Sequence, residues 1–148
     1  MTIVIDASVA VKWLISEDNS TAASPLRGFP LIAPDLLLVE VASILWKKVR
    51  LGEVPASITQ AALPVLEEIG ISLVTNKALV GRALELACDL NHSPYDMFYV
   101  ALAIDRDIPL ITADRRLVNR VRQSGHPWAT LVTPLTEFQP GACAPTLS

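Results

Sequence analysis

Short apolar runs punctuate this chain between much longer stretches of helical periodicity, and that alternation limits the folds open to it. "TIVID", "ISLVT", "PLITAD" and "ATLVT" are rich in β-branched residues and too short for helices, so they read as strands. Between them lie helical patterns. "SVAVKWLI" is followed by a polar break, "SEDNS", and a short segment ending near Gly28. "LIAPDLLLVEVASILWKKVRLG" contains the longest helix, with Pro34 and Asp35 at its start and Gly52 just past its end. "PASITQAALPVLEEIG" predicts another, with Pro55 near the first turn and a kink at Pro64. "NKALVGRALELACDLN", "SPYDMFYVALAIDRD" and "RRLVNRVRQSG" complete the set. Strands alternating with helices imply an α/β fold, a short parallel β-sheet with helices on both faces. No internal repeat interrupts the pattern, so a single domain is expected over residues 1–138, with 139–148 as a flexible C-terminal tail.

Composition narrows the function. Apolar residues make up 51% of the 148, with few aromatics, an excess that points to apolar surface kept for a partner or a second copy of the chain. A net charge of −3 excludes a wholesale basic surface, so any nucleic-acid contact must be local. Cys88 and Cys143 make neither a disulfide framework nor a metal knuckle, and His92 and His126 sit in turn contexts without zinc spacing. No signal-peptide pattern is present, and no apolar run approaches the roughly 18 residues of a membrane span. A cytoplasmic protein without membrane association is expected.

The acids carry the chemistry. In parallel α/β sheets, ligands sit beyond the carboxyl ends of the strands at a switch in strand order. Asp6 ends the first strand and Asp114 follows "PLIT", so both should emerge at one edge. Two helices offer Glu40 and Asp96. Three of these have structural readings of their own: Asp6 (or Ser8) and Asp114 as helix N-caps, and Ser93-Pro94-Tyr95-Asp96 as a capping box. Glu40 differs, because its helix is apolar on nearly every face except a stripe of Glu40, Ser43 and Lys47. A salt bridge to a neighbouring base is one way to keep it there, and a polar site is the other. Four carboxylates at one edge would repel by roughly 4 kcal/mol per close pair at an effective dielectric of 20. Divalent cations relieve that repulsion, and an oxygen-only donor set suits Mg²⁺ or Mn²⁺.

With these residues in hand, the chain resembles a PIN-domain ribonuclease of the VapC toxin type. "IVIDASVAVKWL", Glu40, "SPYDMFYVALA" and "LITAD" occur in that family's order and approximate spacing, over about residues 1–138. The resemblance implies that Asp6, Glu40, Asp96 and Asp114 form a catalytic metal site, with Ser8 and Thr112 as hydroxyl groups orienting it. It further implies cleavage of RNA, neutralisation by a cognate antitoxin protein, and a homodimer. Two departures stand out: Arg116 occupies a position where some relatives carry a further acid, which puts a second metal in question, and Leu117 replaces a common aromatic.

Basic residues bear on how RNA is held. Lys47, Lys48 and Arg50 close the long helix, where they also complement its dipole, and Lys12 follows the Asp6 corner. Arg116 and Arg120, one turn apart, are candidate phosphate contacts, as is Lys47. Of the aromatics, Tyr95 is a candidate for stacking on bases, while Trp13 and Trp46 fit core or interface positions better. No phosphate-binding glycine loop or serine nucleophile elbow is present. Two other readings stay open: a related nuclease acting on DNA or in RNA processing without a toxin role, and a non-catalytic dimeric interaction protein.

Overall fold

The computed structural model describes residues 1–143 and contains a five-stranded, wholly parallel sheet in the order β3-β2-β1-β4-β5. Along the chain the elements are β1 (Ile3–Ile5), α1 (Ala7–Ala10), α2 (Ser20–Ala23), β2 (Leu31–Pro34), α3 (Leu36–Arg50) and α4 (Ile58–Ile69). They continue as β3 (Ser72–Val74), α5 (Asn76–Leu90), α6 (Pro94–Arg106), β4 (Leu110–Thr112), α7 (Arg115–Ser124) and β5 (Val132–Pro134). β1 is central and its three side chains are fully buried, which is why its sequence is a continuous apolar run rather than an alternating one.

The strand order fixes where the helices lie. The chain steps from β1 outward to β2 and β3, returns past them to β4, then continues outward to β5. Right-handed crossovers therefore put α1–α4 on one face and α5–α7 on the other. The packing follows this division: α1 meets α3, while α5 meets both α6 and α7. α6 runs across β1, β2 and β4 with Met97, Tyr99, Val100, Leu102 and its alanines buried, so its first turn is anchored over the carboxyl edge of the sheet.

β2 is the strand that periodicity misses. Leu31–Pro34 merge with the apolar start of the long helix, and Pro34-Asp35 reads as a helix signal. In the structure all four residues are buried between β1 and β3, with Ile3 opposite Leu31 and Ala33 opposite Leu73. Pro34 ends the strand, where its missing N–H is least costly. The helix proper starts at Leu36, and its opening N–H is capped from across the sheet. Asn76 Oδ1 accepts from Leu36 N (3.0 Å), while Asp35 Oδ1 accepts from Asn76 N (3.1 Å).

Other elements depart in detail. α1 is a single α turn continuing as a 3-10 turn over Val11–Trp13, shorter than the expected 8–15. Pro55 precedes α4 rather than opening it, and Pro64 lies inside that helix. Of the expected tail, Pro140–Cys143 form a 3-10 turn, and 144–148 lie outside the described residues. Among the described residues no helix is long and apolar enough to cross a membrane.

The reciprocal cap makes a testable contribution. Asn76→Ala should cost about 1 kcal/mol, the usual value of a lost cap, and lower the melting temperature by about 2–4 °C. Chemical denaturation read by circular dichroism checks this, and an unchanged midpoint would show that the cap is dispensable.

Candidate active site

Each candidate acid is set by a different local device: Asp6 and Asp114 stand just beyond strand ends, Asp96 in the first turn of α6 and Glu40 in the second turn of α3. Asp6 is the residue after β1 and the N-cap of α1. Its Oδ1 accepts from Val9 N (3.2 Å) and from Ser8 Oγ (2.5 Å), and its Oδ2 accepts from the Thr112 hydroxyl. Ser8 and Thr112 are themselves held: Ala113 N donates to Ser8 Oγ, and Asp114 N donates to Thr112 Oγ1, both at 3.0 Å. The ends of β1 and β4 are thus cross-linked by two hydroxyls around one buried carboxylate.

Asp114 keeps its capping role. Its Oδ1 accepts from Arg116 N (2.9 Å) and Leu117 N (3.3 Å) at the start of α7. The expected capping box at Ser93 does not form. Ser93 is the N-cap by position, with Pro94 at the first helical position, but its side chain makes no capping bond. Asp96 turns instead to His92, whose Nε2 lies 2.6 Å from Asp96 Oδ2. Glu40 has no ion-pair partner among the described residues, so the salt-bridge explanation fails. Its Oε1 accepts a 2.6 Å hydrogen bond from the hydroxyl of Tyr99, a buried residue of α6.

The acids lie near enough for their charges to act on one another. Burial raises the pKa of Asp96, the His92 bond opposes the rise, and the charge of Asp114 adds to it. The charge of Asp96 in turn raises both Glu40 and Asp6, whose rises are led by burial. Asp96 is therefore electrostatically coupled to the other three. Asp6 is pushed up to about 6, burial outweighing its three hydrogen bonds. Tyr99 is pushed well above its usual range by burial and by the neighbouring Glu40 carboxylate, so it stays a hydrogen-bond donor.

Among the described residues, no three His, Cys, Asp or Glu side chains are grouped closely enough to hold a metal ion as they stand. The donor chemistry nonetheless fits a hard cation. Every donor is oxygen, and one oxygen each of Asp96, Glu40 and Asp114 has no partner among the described residues. His92 and Tyr99 each occupy the other oxygen of an acid, as orienting neighbours do. Sequence reasoning missed both. Only His92 had a signal in the chain, its place four residues before Asp96; the partner of Tyr99 is 59 positions away.

The basic candidates are less unified. Lys47, Arg116 and Arg120 are exposed and take part in no ion pair among the described residues. Lys12 is committed elsewhere, to Glu17 and the Asp18 carbonyl. Ser43 lines a cleft with Glu40, but Lys47 does not reach it, so the expected polar stripe is shorter than its helical spacing implied.

An α/β domain with parallel strand order β3-β2-β1-β4-β5 and an acidic carboxyl edge defines a class, and residues 3–122 match the PIN domain model. The chain belongs to the PIN-domain family. It is similar to ribonuclease VapC1 from two strains of Mycobacterium tuberculosis, with 36% identity over 121 residues, 77% of this chain and 86% of the relative. Its fold is also that of PAE2754 from Pyrobaculum aerophilum, at a TM-score of 0.67 over 92% of this chain and 93% of the other, with 21% identity.

Two predictions follow from the hydrogen bonds and the burial. Between the unfolded carboxyl value near 4 and the folded value of about 6, the native state binds the Asp6 proton more tightly than the unfolded chain does. Stability should therefore fall as pH rises through that window, by on the order of 3 kcal/mol in a metal-free buffer. Glu40 and Asp96 add to the fall with the same sign. Thermal unfolding from pH 4 to 8 with chelator should show the slope in wild type and a shallower one in Asp6→Asn; equal slopes would contradict it. Tyr99→Phe should raise the Glu40 pKa further, since it deletes a bond that lowers it, and cost about 1.5 kcal/mol. Carboxyl-carbon NMR titration reads the first effect, and an unmoved Glu40 signal would count against the bond.

Proposed function

We propose that this chain is a Mg²⁺- or Mn²⁺-dependent endoribonuclease, a toxin held in check by a cognate antitoxin protein and working in the cytoplasm. The observation that carries the reading is the placing of Asp6 and Asp114 beyond the carboxyl ends of β1 and β4, at the switch point of the sheet, with Asp96 in the first turn of α6 and near enough for its charge to act on Asp6 and Glu40. Kinship with a ribonuclease supports the substrate.

In this reading Asp6, Glu40, Asp96 and Asp114 hold the cation. When bound there, a divalent ion would supply activation of water and stabilisation of the leaving oxygen in phosphodiester hydrolysis. The chain's own groups do the positioning. Thr112 and Ser8 fix both Asp6 oxygens, the Tyr99 hydroxyl fixes one Glu40 oxygen, and His92 fixes one Asp96 oxygen. Lys47, Arg116 and Arg120 offer free positive charge to the phosphates on either side. Arg116, standing where some relatives carry an acid, lowers the negative charge that the cation must balance.

Protein partners are supported by apolar side chains left uncovered. Trp46 and Leu63 are 61% and 51% exposed and border a largely apolar cleft between α3 and α4, while Val80 and Leu84 lie open on α5. Two such faces suit an antitoxin and a second copy of the chain.

Purified protein should cleave a structured RNA pool in Mn²⁺ and lose cleavage in EDTA. Asp96→Asn should reduce the rate by more than the 10- to 100-fold typical of losing an orienting neighbour, with its circular dichroism spectrum retained. Mn²⁺ should also raise the melting temperature of wild type and not that of Asp96→Asn. A folded Asp96→Asn protein with full activity would remove that residue from the site. Absence of both cleavage and a Mn²⁺ shift in wild type would sink the reading.

A further inference from the structure

We infer that the cleft between α3 and the first turn of α6 is a base-binding subsite, which takes an unpaired nucleobase beside the scissile phosphate of single-stranded RNA. This rests on the ribonuclease reading and adds where the substrate's base goes. Leu36, Val39, Glu40, Ser43, Ile44 and Tyr95 line a cavity of about 350 Å³, within the size range of ligand pockets. Two of its walls are uncovered: Tyr95 is 60% exposed and Val39 65%. A tyrosine ring and an aliphatic wall left in water are what a planar heterocycle covers on binding.

The lining of the cleft selects the base over the phosphate. Glu40 is its one charged lining residue, and it is negative. No Lys or Arg lines the cleft to hold a phosphate, whereas its aliphatic and aromatic walls suit the faces of a neutral base. Ser43 supplies specificity. Its hydroxyl makes no side-chain hydrogen bond to the described residues, so it is free to donate to or accept from a base edge.

Position ties the cleft to the acids. Glu40 belongs to both, and Tyr95 immediately precedes Asp96. A base seated on Tyr95 therefore brings its own backbone to the carboxylates. The other aromatics are engaged differently. Trp13 Nε1 donates to the Ala23 carbonyl, Arg50 lies 5.0 Å over the Trp46 ring, and Trp128 is stacked on His126. Only an unstacked base can enter such a cleft, so loops and single strands are the matching substrates and paired RNA is excluded.

The test compares wild type, Tyr95→Ala, Tyr95→Phe and Ser43→Ala on short fluorescent RNA oligonucleotides of varied sequence. Binding is read by anisotropy in chelator and cleavage by steady-state kinetics in Mn²⁺. Tyr95→Ala should weaken binding about tenfold, the scale of one lost base stack, and raise KM by more than it lowers kcat. Tyr95→Phe should recover most of that affinity, because the ring and not the hydroxyl carries the stack. Ser43→Ala should change base preference at one position beside the cut. The Mn²⁺ melting shift of Tyr95→Ala should match that of wild type, which separates this effect from damage to the acids. If wild type binds and cuts RNA while Tyr95→Ala and Ser43→Ala behave identically to it, the subsite is overturned and the cleft is left to a protein segment. If wild type neither binds nor cuts any RNA while Mn²⁺ still shifts its melting, the ribonuclease reading fails and the subsite falls with it.

Discussion

A carboxylate sealed at the end of the most buried strand is the constraint from which the rest of this molecule follows. Asp6 is 6% exposed, sits between β2 and β4 at the switch in strand order, and uses both oxygens on protein donors. An apolar residue there would pack better and cost nothing in desolvation. The hydroxyls of Ser8 and Thr112 and the turn of α1 exist in this arrangement because a buried acid must have partners. Thr112 is fully buried for the same purpose, and its oxygen also accepts from Asp114 N, so the Asp6 partner becomes the pivot that orients the next acid.

The same edge gathers helix starts. In a parallel sheet the helices that follow β1, β2 and β4 all begin at its carboxyl edge, and α6, which precedes β4, has its first turn there too. Their N-termini bring unpaired N–H groups and partial positive charge toward one place. Two of the acids use this directly, Asp6 through Val9 N and Asp114 through Arg116 N and Leu117 N. Backbone therefore supplies part of the counter-charge that four carboxylates require. It is not enough to restore ordinary acidity, since burial keeps Asp6, Glu40 and Asp96 raised.

How much was legible in the sequence depended on whether a residue's role was local. The central strand, the long helices and the edge position of Asp6 and Asp114 follow from period and order alone. Leu31–Pro34 did not, because a strand of four buried residues fused to an apolar helix has no boundary that periodicity can see, and Pro34-Asp35 is a good helix signal in its own right. The capping box at Ser93 had the right letters, but Asp96 found a better donor in His92 than in the helix start. Glu40 was recognisable as anomalous in an apolar helix, yet its partner came from Tyr99, fifty-nine positions away. A long-range hydrogen bond leaves no pattern in the chain. The apolar surround of Glu40 was also misleading: Val39 and Trp46 look like core by composition and stand open to solvent.

One turn of α6 unites these roles. Tyr95 and Tyr99 are four residues apart, so they stand one above the other on the same side of the helix. Tyr99 reaches Glu40 by its hydroxyl, while Tyr95 lines the open cleft that Glu40 also borders. Asp96, about 100° further round by the helical period, leaves that side and faces the other acids. A single rotation of α6 would therefore disturb the Glu40 carboxylate, the cleft wall and the central acid together. The helix resists such rotation because Met97, Val100, Leu102 and Ala103 on its other faces are fully or almost fully buried against the sheet and α5. Close packing below the site is thus what allows three polar functions to sit on consecutive turns without a polar core to hold them.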